Sequence, residues 1–155
     1  MYHGLDKQFS DDDIVFMDVR SGTYHYEHEE FPKTTIVAPD IRADLKRLPF
    51  REQIFSMIIF DPPHARYGSS SYMNLRYGCL SRKDYSALVV WANIEFARVL
   101  KPQGYVYAKV FDYEDRPTIL KRCFSNFKPL LDIQHTSKAS ATSYKTHWML
   151  FVKSS

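Results

Sequence analysis

The chain is poor in glycine and cysteine, and no long hydrophobic run interrupts it. Its 155 residues include five glycines and two cysteines. Cys79 and Cys123 form no Cys-x-x-Cys pair. That argues against a disulfide scaffold or a cysteine zinc site and fits a reducing compartment. No stretch approaches the ~18 apolar residues of a membrane span, and no charged-then-apolar leader opens the chain. The expectation is a soluble, cytoplasmic protein. The phosphate loop Gly-x-x-x-x-Gly-Lys-Ser/Thr is absent, and the scattered glycines form no repeat. Asp11-Asp12-Asp13 lacks the spaced oxygens and glycine of a calcium loop and reads as a solvated turn.

What is present is ordinary globular composition, 45% hydrophobic and 25% charged, with a formal charge of +3. A chain of this size fits one domain, residues 1–155, with a core of its own. The mild positive charge permits a nucleic-acid partner without requiring one. Strands are expected at Ile14 to Val19, Ser56 to Asp61, Tyr105 to Phe111, Leu130 to Gln134 and Thr146 to Val152. The second is apolar on both faces, as a central parallel strand would be. Pro102-Gln103-Gly104 is a turn signal. Tyr24 and Tyr26 facing Thr35 and Val37 across a polar tip suggest a hairpin. Tyr85, Leu88, Val89, Ala92, Phe96 and Val99 recur at helical spacing, with Ser81 and Asp84 as a capping box. A second helix has Pro117 in its first turn and Leu120, Cys123, Phe124 and Phe127 on one stripe. Alternating strands and helices predict an α/β sheet, mostly parallel, whose last two strands pair antiparallel.

In such sheets ligands lie beyond the carboxyl ends of the strands. Asp18, Asp44 and Asp61 fall at or near such ends. An acid after the second strand suits a nucleoside ribose, although a strand-end turn also explains Asp18. Asp61-Pro62-Pro63-His64 is less ordinary. Two prolines fix φ and remove two backbone donors, so the Asp61 carboxylate and Pro62 carbonyl become rigidly placed acceptors. An exocyclic amine offers two hydrogens to such a pair, and fixing its lone pair is positioning catalysis. A ring at His64 suits stacking on a flipped base.

The chain resembles small, mostly phage and prophage class I S-adenosylmethionine (SAM) dependent methyltransferases with an Asp-Pro-Pro-His/Tyr motif. The resemblance is carried by Val15-Phe16-Met17-Asp18-Val19-Arg20, Pro39-Asp40-Ile41-Arg42-Ala43-Asp44-Leu45 and Leu48-Pro49-Phe50. It continues through Ile59 to His64, Arg76-Tyr77-Gly78, Arg98 to Pro102 and Lys145-Thr146-His147-Trp148. It implies a Rossmann-like sheet with SAM as cofactor, Asp18 near its ribose and Asp44-Leu45 near its adenine. Asp61, Pro62, Pro63 and His64 would hold the target amine without a metal. Adenine N6 is preferred over cytosine N4, and DNA over RNA.

One departure stands out. The family opens with a strand and a glycine loop for the methionine end of SAM, whereas Met1 to Lys7 resembles the segment after that loop. Two registers follow. In one, the first strand is missing, Asp18 ends the second strand, and SAM binding is weak, absent or completed by a second copy or partner chain. In the other, Phe16 to Thr23 is the first strand and loop, with Gly22 giving close approach and Asp40 binding ribose. A non-catalytic subunit binding nucleic acid or protein is the alternative to an enzyme.

Other residues carry two readings. His25 and His28 with Glu27, Glu29 and Glu30 resemble metal ligands, but a solvated hairpin tip explains them better. Ser69-Ser70-Ser71 suits a closing loop or a plain surface loop. Lys109 could reach substrate or lie idle on the surface. His147-Trp148 suggests packing as much as chemistry.

Overall fold

The structure, a computed structural model, describes residues 14–27, 31–63, 72–136 and 145–154. Its elements run β1 (Met17–Asp18), β2 (Gly22–Tyr26), β3 (Lys33–Val37), β4 (Ile41–Arg42), β5 (Phe55–Phe60), α1 (Tyr72–Tyr77) and α2 (Arg82–Val99). They continue with β6 (Leu100–Phe111), α3 (Arg116–Cys123), β7 (Phe127–Thr136) and β8 (Lys145–Lys153). Four strands form one sheet in the order β5-β6-β8-β7, while β1 pairs with β4 and β2 with β3.

The sheet is mixed, and its last two strands pair antiparallel as expected. β5 and β6 are parallel, but β6 with β8 and β7 with β8 are antiparallel. The reason is connectivity: α2 returns the chain for a parallel β6, whereas β7 and β8 follow each other without an intervening described helix. β1 and β4 are parallel to each other. Between them the chain forms the β2–β3 hairpin, with Tyr24 opposite Thr35 as the alternation suggests; Tyr26 faces Lys33, and Val37 faces Gly22.

Local signals explain most elements. The Ser81 side chain accepts the Asp84 backbone N–H at 3.1 Å and donates to the Asp84 carboxylate at 2.6 Å. This caps α2, whose Tyr85, Val89, Ala92, Phe96 and Val99 are buried. Pro117 sits in the first turn of α3. Phe127 starts β7 instead of closing the helical stripe, because α3 ends at Cys123 and the Phe124 N–H bonds Leu120 as its cap. The Pro102-Gln103-Gly104 turn is an excursion within β6: Phe55 pairs with Leu100 but Met57 already pairs with Tyr105. Gln103 adopts φ 60° at its crest. The short helix α1 has no counterpart in the sequence reading.

α2 and α3 cover one face of the four-stranded sheet. Val106, Ala108 and Val110 of β6 and Met149 and Phe151 of β8 lie on that side, with Phe60, Phe96 and Phe124 in the same core. The Phe96 ring meets Phe60 edge-on at 5.2 Å between centroids. Each such buried side chain contributes about 1.5–3 kcal/mol relative to exposure. The loop before β5 is clamped to α2. Glu95 accepts the Leu48 N–H at 2.7 Å, and Arg98 donates to the carbonyls of Phe50 and Leu48 at 2.7 and 2.9 Å. The Leu48-Pro49-Phe50 and Arg98 to Pro102 segments therefore meet each other. Arg98 also grips Glu95 directly, at 2.7 Å. That hydrogen bond, with the Leu48 amide and the nearby guanidinium charge, holds the Glu95 carboxyl below its usual range despite burial.

Among the described residues β1 and β4 form a parallel pair of their own, hydrogen-bonded to no strand of the four-stranded sheet.

Candidate active site

The carboxyl ends of β1, β4 and β5 bring together Asp18, Asp61 and the Pro-Pro turn, with Asp44 beyond β4. Asp61 follows Phe60 directly, and Pro62 is buried. Lys109 of β6 places its ammonium 3.5 Å from the Asp61 carboxylate. The same ammonium lies 5.5 Å from the centroid of the Trp148 ring. Lys109 is thus no idle surface lysine: β6 runs beside β5, and the ladder places it next to the strand end. Trp148 in turn stacks on Tyr107 at 5.6 Å and 25° between planes.

The turn after Asp61 is held by a residue that sequence reasoning missed. Arg116, fully buried, donates to the Pro63 carbonyl and to the Leu80 carbonyl at 2.7 Å. Its guanidinium lies over Tyr85 at 4.6 Å and Tyr113 at 5.7 Å. No carboxylate of the described residues is in ion-pair contact with it. Burial therefore lowers the Arg116 pKa, and it raises that of the Tyr85 phenol beside it. The one available signal was an arginine directly before the helix-starting Pro117, at a strand-to-helix turn.

Asp18 stands at the end of β1, but Arg20 occupies it. The carboxylate accepts the Arg20 backbone N–H at 2.8 Å, its Nε at 3.2 Å and a terminal guanidinium nitrogen at 3.0 Å. Arg20 also donates to the carbonyls of Leu75 and Arg76, at 3.1 and 3.4 Å. It thereby ties β1 to the end of α1, where cations suit the helix dipole. Gly78, at φ 77°, passes its backbone between the Pro63 ring and this guanidinium. Both would lie at ordinary contact distance from an added Cβ, so the left-handed backbone is what calls for glycine there.

Asp44 is exposed and accepts the Lys46 backbone N–H at 2.9 Å, while Leu45 packs against the core. Asp40 precedes β4 and accepts the Phe16 N–H at 2.7 Å, which places it at the amino ends of β1 and β4. Gly22 begins β2 with φ 138° and no protein atom within 4 Å of an added Cβ. β1 is also hydrogen-bonded to β4 rather than β5. His64, Ser69 to Ser71, His28 to Glu30, Asp11 to Asp13 and Met1 to Lys7 lie outside the described residues. His25 pairs with Thr34 at 3.2 Å.

His147 is a packing residue on the helix side. Its Nδ1 is 2.9 Å from Asp132, which also accepts Lys121 at 2.7 Å. Burial raises the Asp132 carboxyl, but the hydrogen bonds from Lys121 and His147 outweigh it and leave the group below its usual value.

No protein-family model matches the chain, and no curated protein matches its sequence. Solved structures do. TrmN from Thermus thermophilus aligns at 20% identity with a TM-score of 0.51, over 74% of this chain and 28% of that one. The N-methyltransferase NodS from Bradyrhizobium japonicum WM9, solved with S-adenosyl-L-homocysteine, aligns at 13% identity and TM-score 0.47, over 74% of this chain and 54% of its own. The chain thus spans between about a quarter and about half of these relatives' lengths. The likeness shows an α/β fold similar to that of TrmN.

Proposed function

We propose that this chain is a SAM-dependent methyltransferase acting on an exocyclic amine of a nucleobase, with adenine N6 and DNA preferred. The observation that carries the reading is Asp61, fixed at the end of β5 by two prolines, neutralised by Lys109 and clamped through Pro63 by Arg116. Bound SAM would supply an electrophilic methyl group on a sulfonium. The chain's own residues do the rest. The Lys109 ammonium stabilises the charged form of the Asp61 carboxylate. Asp61 accepts one amine hydrogen and the Pro62 carbonyl the other, which aims the nitrogen lone pair. His64 is the candidate to steer or stack the base. Asp18, Asp44 and Leu45 fit the nucleoside end of SAM in residue type and position, provided that Arg20 yields Asp18. The described residues contain no glycine cradle for the methionine end.

A second reading, a methyltransferase-like subunit with impaired SAM binding, is favoured by the grip of Arg20 on Asp18. One experiment separates them. Labelled methyl transfer to single- and double-stranded oligonucleotides is expected from the wild-type chain and is expected to fall about 10²-fold or more in Asp61→Asn. Activity that survives the substitution refutes the first reading. Calorimetric titration with S-adenosyl-L-homocysteine tests the second, because micromolar binding excludes it.

A further inference from the structure

Among the described residues, helices cover one side of the four-stranded sheet. On its other side alternate residues of each strand face outward. These are Met57 and Ile59 of β5, Tyr105, Tyr107 and Lys109 of β6, Trp148 and Leu150 of β8, and Lys128, Leu131 and Ile133 of β7, as the ladder registers align them. Five of the large apolar side chains, Met57, Ile59, Tyr105, Leu131 and Ile133, are between 40% and 58% exposed. At roughly 150–250 Å² per full aromatic side chain, the patch reaches the few hundred Å² that mark an interaction surface.

Lysine supplies the charge along these strands, and Lys109 is paired with Asp61 where β5 ends. The four strands contain the single carboxylate Asp132, and it points to the helix side, bonded to His147 and Lys121. Lys109 and Lys128 stand on the open side. Tyr105 lies two residues before Tyr107 on the same side of β6, and Tyr107 stacks on Trp148, over which Lys109 sits. The row ends at Asp61. Aromatic platforms edged by lysine suit single-stranded nucleic acid, whose bases stack while phosphates meet the cations.

We infer that this open sheet face binds single-stranded nucleic acid and leads it toward Asp61, an inference that rests on the nucleobase reading above. Tyr105, Tyr107 and Trp148 stack successive bases, and Lys128 meets the backbone at the far edge. The aliphatic residues between them support the rings and limit sequence preference, since every base has a π-face. A protein layer, including a second copy of this chain, is the competing occupant. The stacked rings, and Lys128 with no strand carboxylate on its side of the sheet, favour the polyanion.

The test is fluorescence anisotropy of labelled oligothymidylate and oligouridylate, each about 15 nucleotides, with the full chain and no SAM. Salt-dependent binding is expected. Tyr105→Ala should weaken it about fivefold or more, through one lost stacking contact. Lys128→Gln should lower the slope of log affinity against log salt by about 0.7, one phosphate contact. Lys83→Gln, exposed on α2, should change neither the binding nor the fold. The chain has two tryptophans, Trp91 and Trp148, so in Trp91→Phe the oligonucleotide should quench the remaining emission. Absence of binding, or binding unchanged in both Tyr105→Ala and Lys128→Gln, overturns the inference. So does a concentration-dependent dimer in sedimentation that Ile133→Glu abolishes while oligonucleotide leaves it intact. Oligonucleotide binding without methyl transfer would sink the catalytic reading and leave this face assigned; methyl transfer without face-dependent binding would do the reverse.

Discussion

Replacing Arg116 tests how the Pro-Pro turn is held. The guanidinium is fully buried and donates to two carbonyls, of Pro63 and Leu80. Arg116→Ala leaves both carbonyls without that donor, at about 1–3 kcal/mol each, and removes the cation stacked over Tyr85, worth about 0.5–2 kcal/mol. Against this, the substitution relieves the desolvation of a buried cation that has no carboxylate partner among the described residues, a cost of several kcal/mol. With that relief taken at about 2–3 kcal/mol, the middle of these ranges leaves a loss of about 3 kcal/mol. For a chain of this size each kcal/mol shifts Tm by about 2–4 °C, so a drop of about 6–12 °C is expected by circular dichroism. Arg116→Met retains the packing but not the hydrogen bonds and should fall between Ala and wild type. Arg116→Lys should resemble Met, because an ammonium cannot reproduce the planar fork. An alanine variant melting within about 2 °C of wild type would show that the turn holds itself and that the clamp is incidental.

Three further outcomes are expected. Glu95 has its carboxyl held below the usual 4.5, chiefly by Arg98. Its contribution is therefore fully present above that value and is lost as pH falls through the lower folded-state pKa; urea midpoints measured from pH 7 downward should decline below about pH 5, and Glu95→Gln should flatten that decline while lowering stability at pH 7. An added Cβ at Gly104 would lie 3.0 Å from the Lys101 carbonyl oxygen and 3.2 Å from that of Ser56. Gly104→Ala should therefore cost about 1–3 kcal/mol, read as a lower urea midpoint, and an unchanged midpoint would mean that the β5–β6 junction adjusts freely. Ser81→Ala removes the α2 cap and should cost about 1 kcal/mol, whereas Ser81→Asp should recover most of it.

Much of the fold is legible along the chain because its signals are local. Ser81 and Asp84 announce the start of α2, Pro117 that of α3, and the alternation of Tyr24 with Thr35 across a polar tip the hairpin. Asp61-Pro62-Pro63 identifies its own strand end, since proline stiffness is a property of the backbone itself. The α1 helix escaped notice because six residues give too little periodicity to register. Phe127 misled for a related reason: a phenylalanine at helical spacing looks the same whether the chain continues as helix or turns into a strand.

The sequence by itself determined the α/β alternation, the helix caps and the acid fixed at the end of β5, because each depends on neighbours within a few positions. Only the tertiary structure decided the rest. It placed Lys109 against Asp61, Arg20 on Asp18 and Arg116 beneath the Pro-Pro turn, pairings separated by 48, 2 and 53 positions in the chain. The Arg20 contact is short-range yet still invisible in sequence, since an aspartate two residues from an arginine pairs with it only when the backbone leaves the strand as it does here. The tertiary structure also set the strand order β5-β6-β8-β7. Charge pairing and strand order follow from which segments lie side by side, and an amino-acid string does not state that until burial of the shared core selects it.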